Sequence, residues 1–275
     1  MTKKLGNLST RVIAALIGIP LIVIVCLAGK IFFLIFALAV GLVSFWEYSR
    51  MLKSKQAFTN KFVGYISVGI IIINEYKFFV DYRLLFLIIS ILLLLIELFR
   101  NNHSAIINLG STLLGIFYIG FFSSALVSIR EFYNESAFIY NQGGYLILSI
   151  LVSIWICDSA AYFIGTAYGI HKLMPRVSPK KSWEGAIAGF VFAVAGMVAA
   201  HSLILEFMEL RDVIIIGIFV GLFGQLGDLI ESLIKRDAHV KDSSSIIPGH
   251  GGMFDRFDSL LFTAPIVYLY LTLIR

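Results

Sequence analysis

The chain has 275 residues and a formal net charge of +5; 59% of its residues are hydrophobic and 14% are charged. A soluble domain is typically about 45–50% apolar and about 25% charged, so one soluble core could not bury this much apolar surface. The composition excludes an ordinary soluble protein. In membrane proteins Lys and Arg accumulate in the cytoplasmic loops, which accounts for the positive charge without a nucleic-acid surface. Cys26 and Cys157 both lie in apolar stretches, which predicts buried thiols rather than a disulfide.

Nine apolar segments are long enough, or nearly so, to cross a bilayer, because a hydrocarbon core of about 30 Å takes about 20 helical residues. We therefore predict an all-α fold: a polytopic integral membrane protein with about nine transmembrane helices. The third segment is the weakest, and the tight link at Lys30 leaves open a re-entrant hairpin made by the first two. The segments are, in chain order, Val12–Gly29, Ile31–Trp46, Phe62–Asn74, Leu84–Leu98, Leu109–Val127, Tyr145–Gly165, Trp183–His201, Val213–Ile234 and Ser259–Ile274.

The distribution of basic residues provides a test of this count. If the N-terminus is cytoplasmic and nine spans alternate, cytoplasmic segments hold sixteen of the 22 Lys and Arg residues. Cytoplasmic loops carry an excess of Lys and Arg, so the asymmetry supports the assignment. We predict a multi-pass protein of the cell (inner) membrane with a cytoplasmic N-terminus, a cytoplasmic active site and the C-terminus outside. One miscounted span would reverse every later segment.

Acidic residues within apolar runs are concentrated in the second half of the chain. Asp158, Glu184, Asp228 and Glu231 lie in or at the edge of apolar segments. A carboxylate inside a span costs about 2.5–3.5 kcal/mol on insertion scales, so such side chains usually face a partner, water or an ion. We predict a scaffold of membrane helices over 1–142, with a role in lipid access left open, and a catalytic part over 143–275.

Glycines recur with helical spacing on one face of the eighth segment. On a helix this stripe leads into an acid, a hydroxyl and a base at the predicted cytoplasmic end. One interpretation is an approach to a polar site, and the other is a packing seam whose end is solvated. The residues of the stripe are Gly217, Gly221, Gly224, Asp228, Glu231, Ser232 and Lys235.

The loop over residues 235–258 is dense in Lys, Arg, Asp, Ser, His and Gly, a composition typical of phosphate sites. Gly251 and Gly252 can present backbone N–H groups to an anion. Carboxylates beside basic groups and a Gly-rich turn predict Mg²⁺ bound together with a polyphosphate, with two cations as one option. The basic candidates for neutralising phosphate oxygens are Arg236, Lys241 and Arg256.

Asp255 and Asp258 form an i, i+3 pair at the start of the last predicted helix, where a carboxylate also suits the helix dipole. For Asp258, capping and catalysis are both open. His250 could act as a general base. A phosphate nucleophile is already ionised near neutral pH, however, so we predict that His250 positions or binds phosphate.

Two upstream features add to this picture. Asp158 lies in the middle of an apolar run, where it either lines the site or makes an interhelical hydrogen bond. Ser182 is predicted to cap the seventh helix, with Gly185 at the third helical position. Lys180 and Lys181 then lie just before a helix N-terminus, which is a ready anion site. The alternative for this loop is an ordinary positive-inside loop.

Three sequence blocks between residues 158 and 258 form a long signature. They are Asp158-Ser159-Ala160-Ala161-Tyr162-Phe163-x-Gly165, then Ser178-Pro179-Lys180-Lys181-Ser182-Trp183-Glu184-Gly185, then Ser232-x-x-Lys235-Arg236 with Lys241-Asp242 and Pro248-Gly249-His250-Gly251-Gly252-x-x-Asp255-Arg256-x-Asp258. In this order they closely resemble the CTP:phosphatidate cytidylyltransferases, also called CDP-diacylglycerol synthases. At Ser159, Ala160 and Ser182 that family often has Thr or Gly, and these changes keep size or hydroxyl character.

The resemblance implies that CTP and phosphatidate give CDP-diacylglycerol and pyrophosphate, with Mg²⁺ required. It implies Asp228 and Asp255 as metal ligands. The predicted catalytic residues are Asp228, Asp255, Lys235, Arg236, Lys241, Asp242 and Asp258. The predicted substrate-binding residues are Ser178, Lys180, Lys181, Ser232, His250, Gly251, Gly252, Arg256 and Asp158.

Two other functions use similar parts. A CTP-dependent polyprenol or lipid-alcohol kinase would activate a hydroxyl and would release CDP. A secondary transporter would relay ions through its membrane acids, but the inverted repeat expected of one is not apparent. The predicted partners are CTP and phosphatidate in the bilayer, without nucleic acid. The glycine seams permit a homodimer without requiring one.

Overall fold

The computed structural model describes residues 7–274, with side chains from Val12 onward. The helices are α1 (Asn7–Ala28), α2 (Lys30–Met51), α3 (Lys61–Tyr76), α4 (Tyr82–Phe99), α5 (Ala105–Gly115), α6 (Phe122–Arg130), α7 (Tyr140–Tyr168), α8 (Trp183–Leu203), α9 (Leu210–Asp237) and α10 (Phe254–Ile274). A 3₁₀ turn covers Leu52–Lys55, and a π-helical segment, Ile116–Phe121, joins α5 to α6. Strands β1 (Lys172–Met174) and β2 (Ser178–Ser182) form one antiparallel hairpin.

The helices agree with the predicted membrane segments. Within the described residues, seven helical stretches are long and apolar enough to cross a membrane; the described apolar part of α1 is shorter, and α3 has 16 residues. Every predicted span overlaps a helix, so the all-α polytopic fold is confirmed, whereas the count of nine is not established. Lys3, Lys4 and Arg275, which entered the topology prediction, lie outside the described residues.

The chain forms two compact units, each assembled from separated segments. The first contains the described residues up to Val25, then Lys30–Ser128 and Asp237–Phe257. The second contains Cys26–Gly29, Ile129–Arg236 and the described residues from Asp258 onward. The division predicted at residue 142 separates a scaffold from a catalytic part rather than two compact units, and it stays a prediction.

Arg130 shows that a basic residue between spans need not lie in a solvated loop. Its side chain is fully buried in the second unit. Nε and Nη2 donate to the carbonyls of Cys26 and Leu27 at 2.6 and 3.0 Å, and Nη1 donates to the carbonyl of Tyr140 at 3.1 Å. The last carbonyls of a helix have no intrahelical hydrogen-bond donor, and the Arg130 guanidinium donates to two such carbonyls at the end of α1. Its charge therefore does not report on membrane orientation.

The glycine stripe of α9 is a packing seam. A Cβ at Gly221 would lie 3.0 Å from the Cα of Phe190 on α8, and one at Gly227 would lie 2.7 Å from the carbonyl oxygen of Asp258 on α10. Only glycine permits so close an approach of helix backbones. The interpretation as a packing seam is therefore confirmed for Gly217 and Gly221, whose Cβ atoms would each lie 3.0 Å from a Cα of α8, whereas a Cβ at Gly224 would meet nothing closer than 3.7 Å. Gly227, which is not part of the predicted stripe, brings the next residue, Asp228, close to Asp258 on α10.

The segment before α8 is a β-hairpin where the sequence indicated a loop. Its strands are rich in Lys, Ser and Pro and lack the apolar alternation that identifies a half-buried strand. The predicted cap is confirmed, because Ser182 Oγ accepts the N–H of Gly185 at 3.2 Å. Glu184 closes the base of the hairpin: its carboxylate accepts the backbone N–H of His171 at 3.2 Å.

Candidate active site

Three aspartates of the second unit gather around two lysines. Asp228 Oδ2 lies 2.7 Å from Lys181 Nζ, and its Oδ1 accepts the Ser232 hydroxyl at 3.2 Å. Asp258 is buried and within electrostatic range of Asp228, Asp158 and Lys235. We call Asp158, Asp228, Asp258, Lys181 and Lys235 the acid–lysine cluster. Its residues belong to α7, β2, α9 and α10. The two that are farthest apart along the chain, Asp158 and Asp258, are separated by 100 positions.

The basic members of the cluster are held by neighbouring side chains. Lys235 forms an ion pair with Glu231, one turn earlier on α9, and both are buried. Lys181 reaches Asp228 from the end of the hairpin. Each of the two ammonium groups is held by a carboxylate. The cluster therefore places its positive charges at fixed positions.

The remaining predicted residues of this unit lie at its surface. Arg236 is exposed, and its Nε donates to the carbonyl of Val177 at 3.3 Å, between the two strands of the hairpin. Lys180 is exposed and Ser178 is half-buried. Asp258 is the fifth residue of α10 and not its cap; its Oδ1 accepts the N–H of the next residue, Ser259.

The donor chemistry of the cluster fits Mg²⁺. No group of three or more His, Cys, Asp and Glu side chains between residues 12 and 274 forms a ready metal cage. Mg²⁺ does not require one, because it is usually held by one or two carboxylates while substrate phosphates and water fill the other positions. Three neighbouring carboxylates also repel one another unless cations lie between them.

In the first unit, the loop that follows α9 is organised around a buried glutamate. We call residues 238–253 the signature loop. Glu47 of α2 is fully buried, and its Oε1 accepts the Ser244 hydroxyl at 2.5 Å and the N–H of Met253 at 2.9 Å. Its Oε2 accepts the Ser243 hydroxyl at 3.0 Å and the N–H of Phe254 at 2.7 Å. Four donors therefore fix one carboxylate.

Asp255 holds the same loop from the other side. Its Oδ2 accepts the N–H of Ser243 at 2.9 Å and the N–H of Gly252 at 2.8 Å, and it lies 2.8 Å from Ser243 Oγ. The single proton of that hydroxyl can go to either Asp255 or Glu47. The backbone N–H groups of residues 252–254 thus bind carboxylates of the chain itself. At the predicted anion-binding turn, the N–H of Gly252 therefore binds a carboxylate of the protein itself, that of Asp255.

The tip of the signature loop is a tight turn. The N–H of His250 donates to the carbonyl of Ile247 at 2.9 Å across Pro248 and Gly249, and Gly249 has φ +75°. Proline second and glycine third is the sequence of a type II turn. Arg256 Nε donates to the carbonyl of His250 at 2.7 Å, so it braces the turn. Lys241 and Asp242 are exposed on the loop.

Glu47, Ser243 and Ser244 were not among the predicted site residues. Glu47 directly follows the predicted span Ile31–Trp46, whereas α2 continues through it to Met51. The cost of a carboxylate in an apolar helix, which singled out Asp158, applies equally to Glu47. The two serines have no comparable signal, because serine is ordinary in a Gly-rich loop.

Two variants of Asp255 distinguish a role in holding the signature loop from a role of its negative charge in the reaction. All three donors converge on one oxygen, which the amide oxygen of Asn can replace, so Asp255→Asn should keep the melting temperature while removing the charge. Asp255→Ala should lower it. If Asp255 acts through its charge, both variants lose about 100-fold in turnover. A near wild-type rate for Asp255→Asn, with loss only in Asp255→Ala, would leave Asp255 as a loop anchor and remove it from the predicted metal site.

Comparison with known proteins gives the family of the chain. Residues 9–274 match the model of the cytidylyltransferase family. A phosphatidate cytidylyltransferase of Bacillus subtilis is 34% identical over 270 residues, 96% of each chain. Proteins with that same description from Brucella suis and Staphylococcus epidermidis are 32% and 29% identical, over 97% and 95% of this chain and 94% and 96% of theirs. The chain therefore belongs to the cytidylyltransferase family.

Proposed function

We propose that this chain condenses CTP with phosphatidate to give CDP-diacylglycerol and pyrophosphate, for phospholipid synthesis. The observation that carries the proposal is the acid–lysine cluster at the ends of apolar helices. The phosphate of a membrane lipid lies at the membrane face, whereas CTP comes from water. A polar cluster near helix ends is accessible to both substrates. The full-length relatives named phosphatidate cytidylyltransferase support the same reaction.

The reaction transfers one cytidylyl group. An oxygen of the phosphatidate phosphate forms a bond to the α-phosphorus of CTP, and the bond from that phosphorus to the leaving pyrophosphate oxygen breaks. The nucleophile is already ionised near neutral pH, so no side chain has to remove a proton. The protein must align the two phosphates and neutralise their charge. Lys181 and Lys235 suit this role because Asp228 and Glu231 hold them in place.

Asp228 and Asp255 are the proposed Mg²⁺ ligands, as the resemblance implies. When bound, Mg²⁺ would supply positive charge to the phosphate oxygens of the nucleotide and of the leaving group. The neighbouring carboxylates of Asp158 and Asp258 add negative charge that favours a cation at Asp228. By the asymmetry of the basic residues, we propose that this site faces the cytoplasm.

An apolar groove beside the cluster suits an acyl chain. The groove has a volume of about 510 Å³ and lies between α7 and α8. Its wall includes Ser159 and Ala160, which directly follow Asp158, together with Phe163 and Phe192. If the phosphate of a lipid lies at the cluster, this apolar surface begins at Ser159, the residue next to Asp158 in the chain. We propose that one acyl chain of phosphatidate lies here.

Filling the groove should weaken lipid binding selectively. Ala160→Trp is expected to raise KM for phosphatidate about tenfold, equivalent to losing about 1.4 kcal/mol of apolar contact, with KM for CTP unchanged. Ile187→Trp is the matched control, since Ile187 is an exposed apolar residue of α8 that does not line the groove. Initial rates over both substrate concentrations give the two KM values. Equal KM changes for both substrates would argue against an acyl-chain groove.

The function is tested with purified full-length protein in detergent micelles. With CTP, phosphatidate and Mg²⁺, we expect equal amounts of CDP-diacylglycerol and pyrophosphate, and no turnover after EDTA. With a lipid alcohol supplied in place of phosphatidate, release of CDP and formation of the phosphorylated alcohol would instead identify a CTP-dependent kinase. Absence of turnover from protein that remains folded would contradict both enzyme functions.

A further inference from the structure

A polar cavity lies in the first unit, and no residue of the acid–lysine cluster or of the signature loop lines it. Its volume is about 550 Å³. It is lined by residues at the C-terminal end of α2, the N-terminal end of α3 and the C-terminal end of α4. These three helix ends therefore lie together, around one cavity.

The wall of this cavity is basic. Lys53, Lys61 and Arg100 line it, and none of the described lining residues is acidic. Beside the wall, Glu97 Oε2 lies 3.5 Å from Arg100 Nη1, and its Oε1 accepts the Asn108 amide at 2.7 Å. Glu97 balances Arg100, and the two lysines remain as excess positive charge.

Two hydroxyls in the wall have no protein partner. Ser49 and Thr59 line the cavity and are 1% and 4% exposed. Their oxygens make no hydrogen bond to any described residue. A buried polar group without a partner is unfavourable, and the great majority of such groups in native proteins are paired with protein, water or a ligand. Each hydroxyl therefore keeps a donor that no described residue accepts.

The first turn of α3 adds to the positive potential. Asn60, which lines the cavity, caps this 16-residue helix by accepting the N–H of Val63 at 3.1 Å. The N-terminus of a helix carries partial positive charge and favours phosphate groups. Phe58 and Ile96 give the cavity an apolar side as well.

We propose that this cavity binds a phosphate group, either free or as the headgroup of an anionic phospholipid. Two unbalanced lysines, two unpartnered hydroxyl donors and a helix N-terminus are complementary to a group with several anionic acceptor oxygens. The apolar side and the position at helix ends fit a lipid whose glycerol and acyl portions remain in the bilayer. The site rests on none of the residues used for the cytidylyltransferase reaction.

The test uses the full-length protein and two probes. Inorganic phosphate is titrated calorimetrically into protein in nonionic detergent. Separately, nanodiscs of phosphatidylcholine with or without phosphatidylglycerol are compared for lipid retention by native mass spectrometry. The variant Lys53→Ala/Lys61→Ala should weaken binding about fivefold per lysine, and so about 25-fold for the pair. Lys55→Ala is the matched control, since Lys55 is a neighbouring lysine that pairs with Asp237 and does not line the cavity.

The outcomes separate the two sources of phosphate. Phosphate binding that the double variant loses identifies a free phosphate group, whereas selective loss of phosphatidylglycerol retention identifies a headgroup. Thr59→Val guards against misfolding: it should weaken the same binding while the melting temperature stays equal or rises, because it removes an unpartnered buried hydroxyl. If wild type and double variant behave alike with both probes, the cavity is not a phosphate site and the proposal is wrong.

Discussion

Asp228→Asn is expected to lower turnover by about 100-fold or more while the protein remains folded. The substitution keeps the shape of the side chain and its contact with Ser232, but it removes the charge that pairs with Lys181 at 2.7 Å. A residue that holds a metal, or orients one, typically contributes 10- to 100-fold or more to activity. Initial rates with CTP and phosphatidate, measured over a range of Mg²⁺ concentrations, give the effect.

A matched control and a second variant make this result specific. Asp237→Asn makes the same change on the last residue of the same helix, where the side chain is exposed and pairs with Lys55. Surface pairs contribute little, so its rate should stay within twofold of wild type. Lys181→Met tests whether Asp228 only holds that lysine. If Asp228 binds Mg²⁺, only Asp228→Asn should raise the Mg²⁺ concentration needed for half-maximal rate. If both variants shift it equally, or neither does, Asp228 is not a metal ligand.

The sequence was most informative where the signal is local. Apolar runs predicted the helices because hydropathy depends on neighbouring residues, and Ser182 was predicted as a cap because its partner Gly185 is three residues away. The acids that cost most in lipid, Asp158 and Asp228, were recognised for the same reason, and both belong to the acid–lysine cluster. The buried state of Arg130 was not predictable, because two of its three carbonyl partners, Cys26 and Leu27, are more than 100 positions earlier in the chain.

Glu47 is the clearest example of information that only the fold supplies. Its four donors are 196 to 207 positions away in the sequence. No periodicity or motif around α2 points to the signature loop. What the structure adds is that the loop, which carries much of the predicted site, takes its shape from a carboxylate in the scaffold half of the chain. The close fit of Gly252 follows from this, since a Cβ there would lie 2.5 Å from Glu47 Oε1.

Glu47→Gln is therefore expected to loosen the signature loop and to lower turnover about tenfold or more. Each carboxylate oxygen accepts one backbone N–H, from Met253 on one side and Phe254 on the other. Whichever way the Gln amide is turned, its NH₂ group faces an N–H that cannot accept a hydrogen bond. An unsatisfied buried donor costs about 1–3 kcal/mol, and 1.4 kcal/mol corresponds to a factor of ten. Trypsin cleavage after the exposed Lys241 should become faster, which measures the loosening directly.

Glu75→Gln is the matched control at a half-buried glutamate of the same unit. Its two oxygens accept only hydroxyls, from Ser128 and Tyr82, and a hydroxyl can turn to accept from the Gln amide. We expect this variant to keep both its rate and its resistance to trypsin at Lys241. As a positioning residue, Glu47 should act through the loop: the rate of Glu47→Gln and its cleavage at Lys241 should change together, while the far-ultraviolet helical signal stays constant. A fully active Glu47→Gln with faster cleavage would mean that the order of the loop is not needed for the reaction.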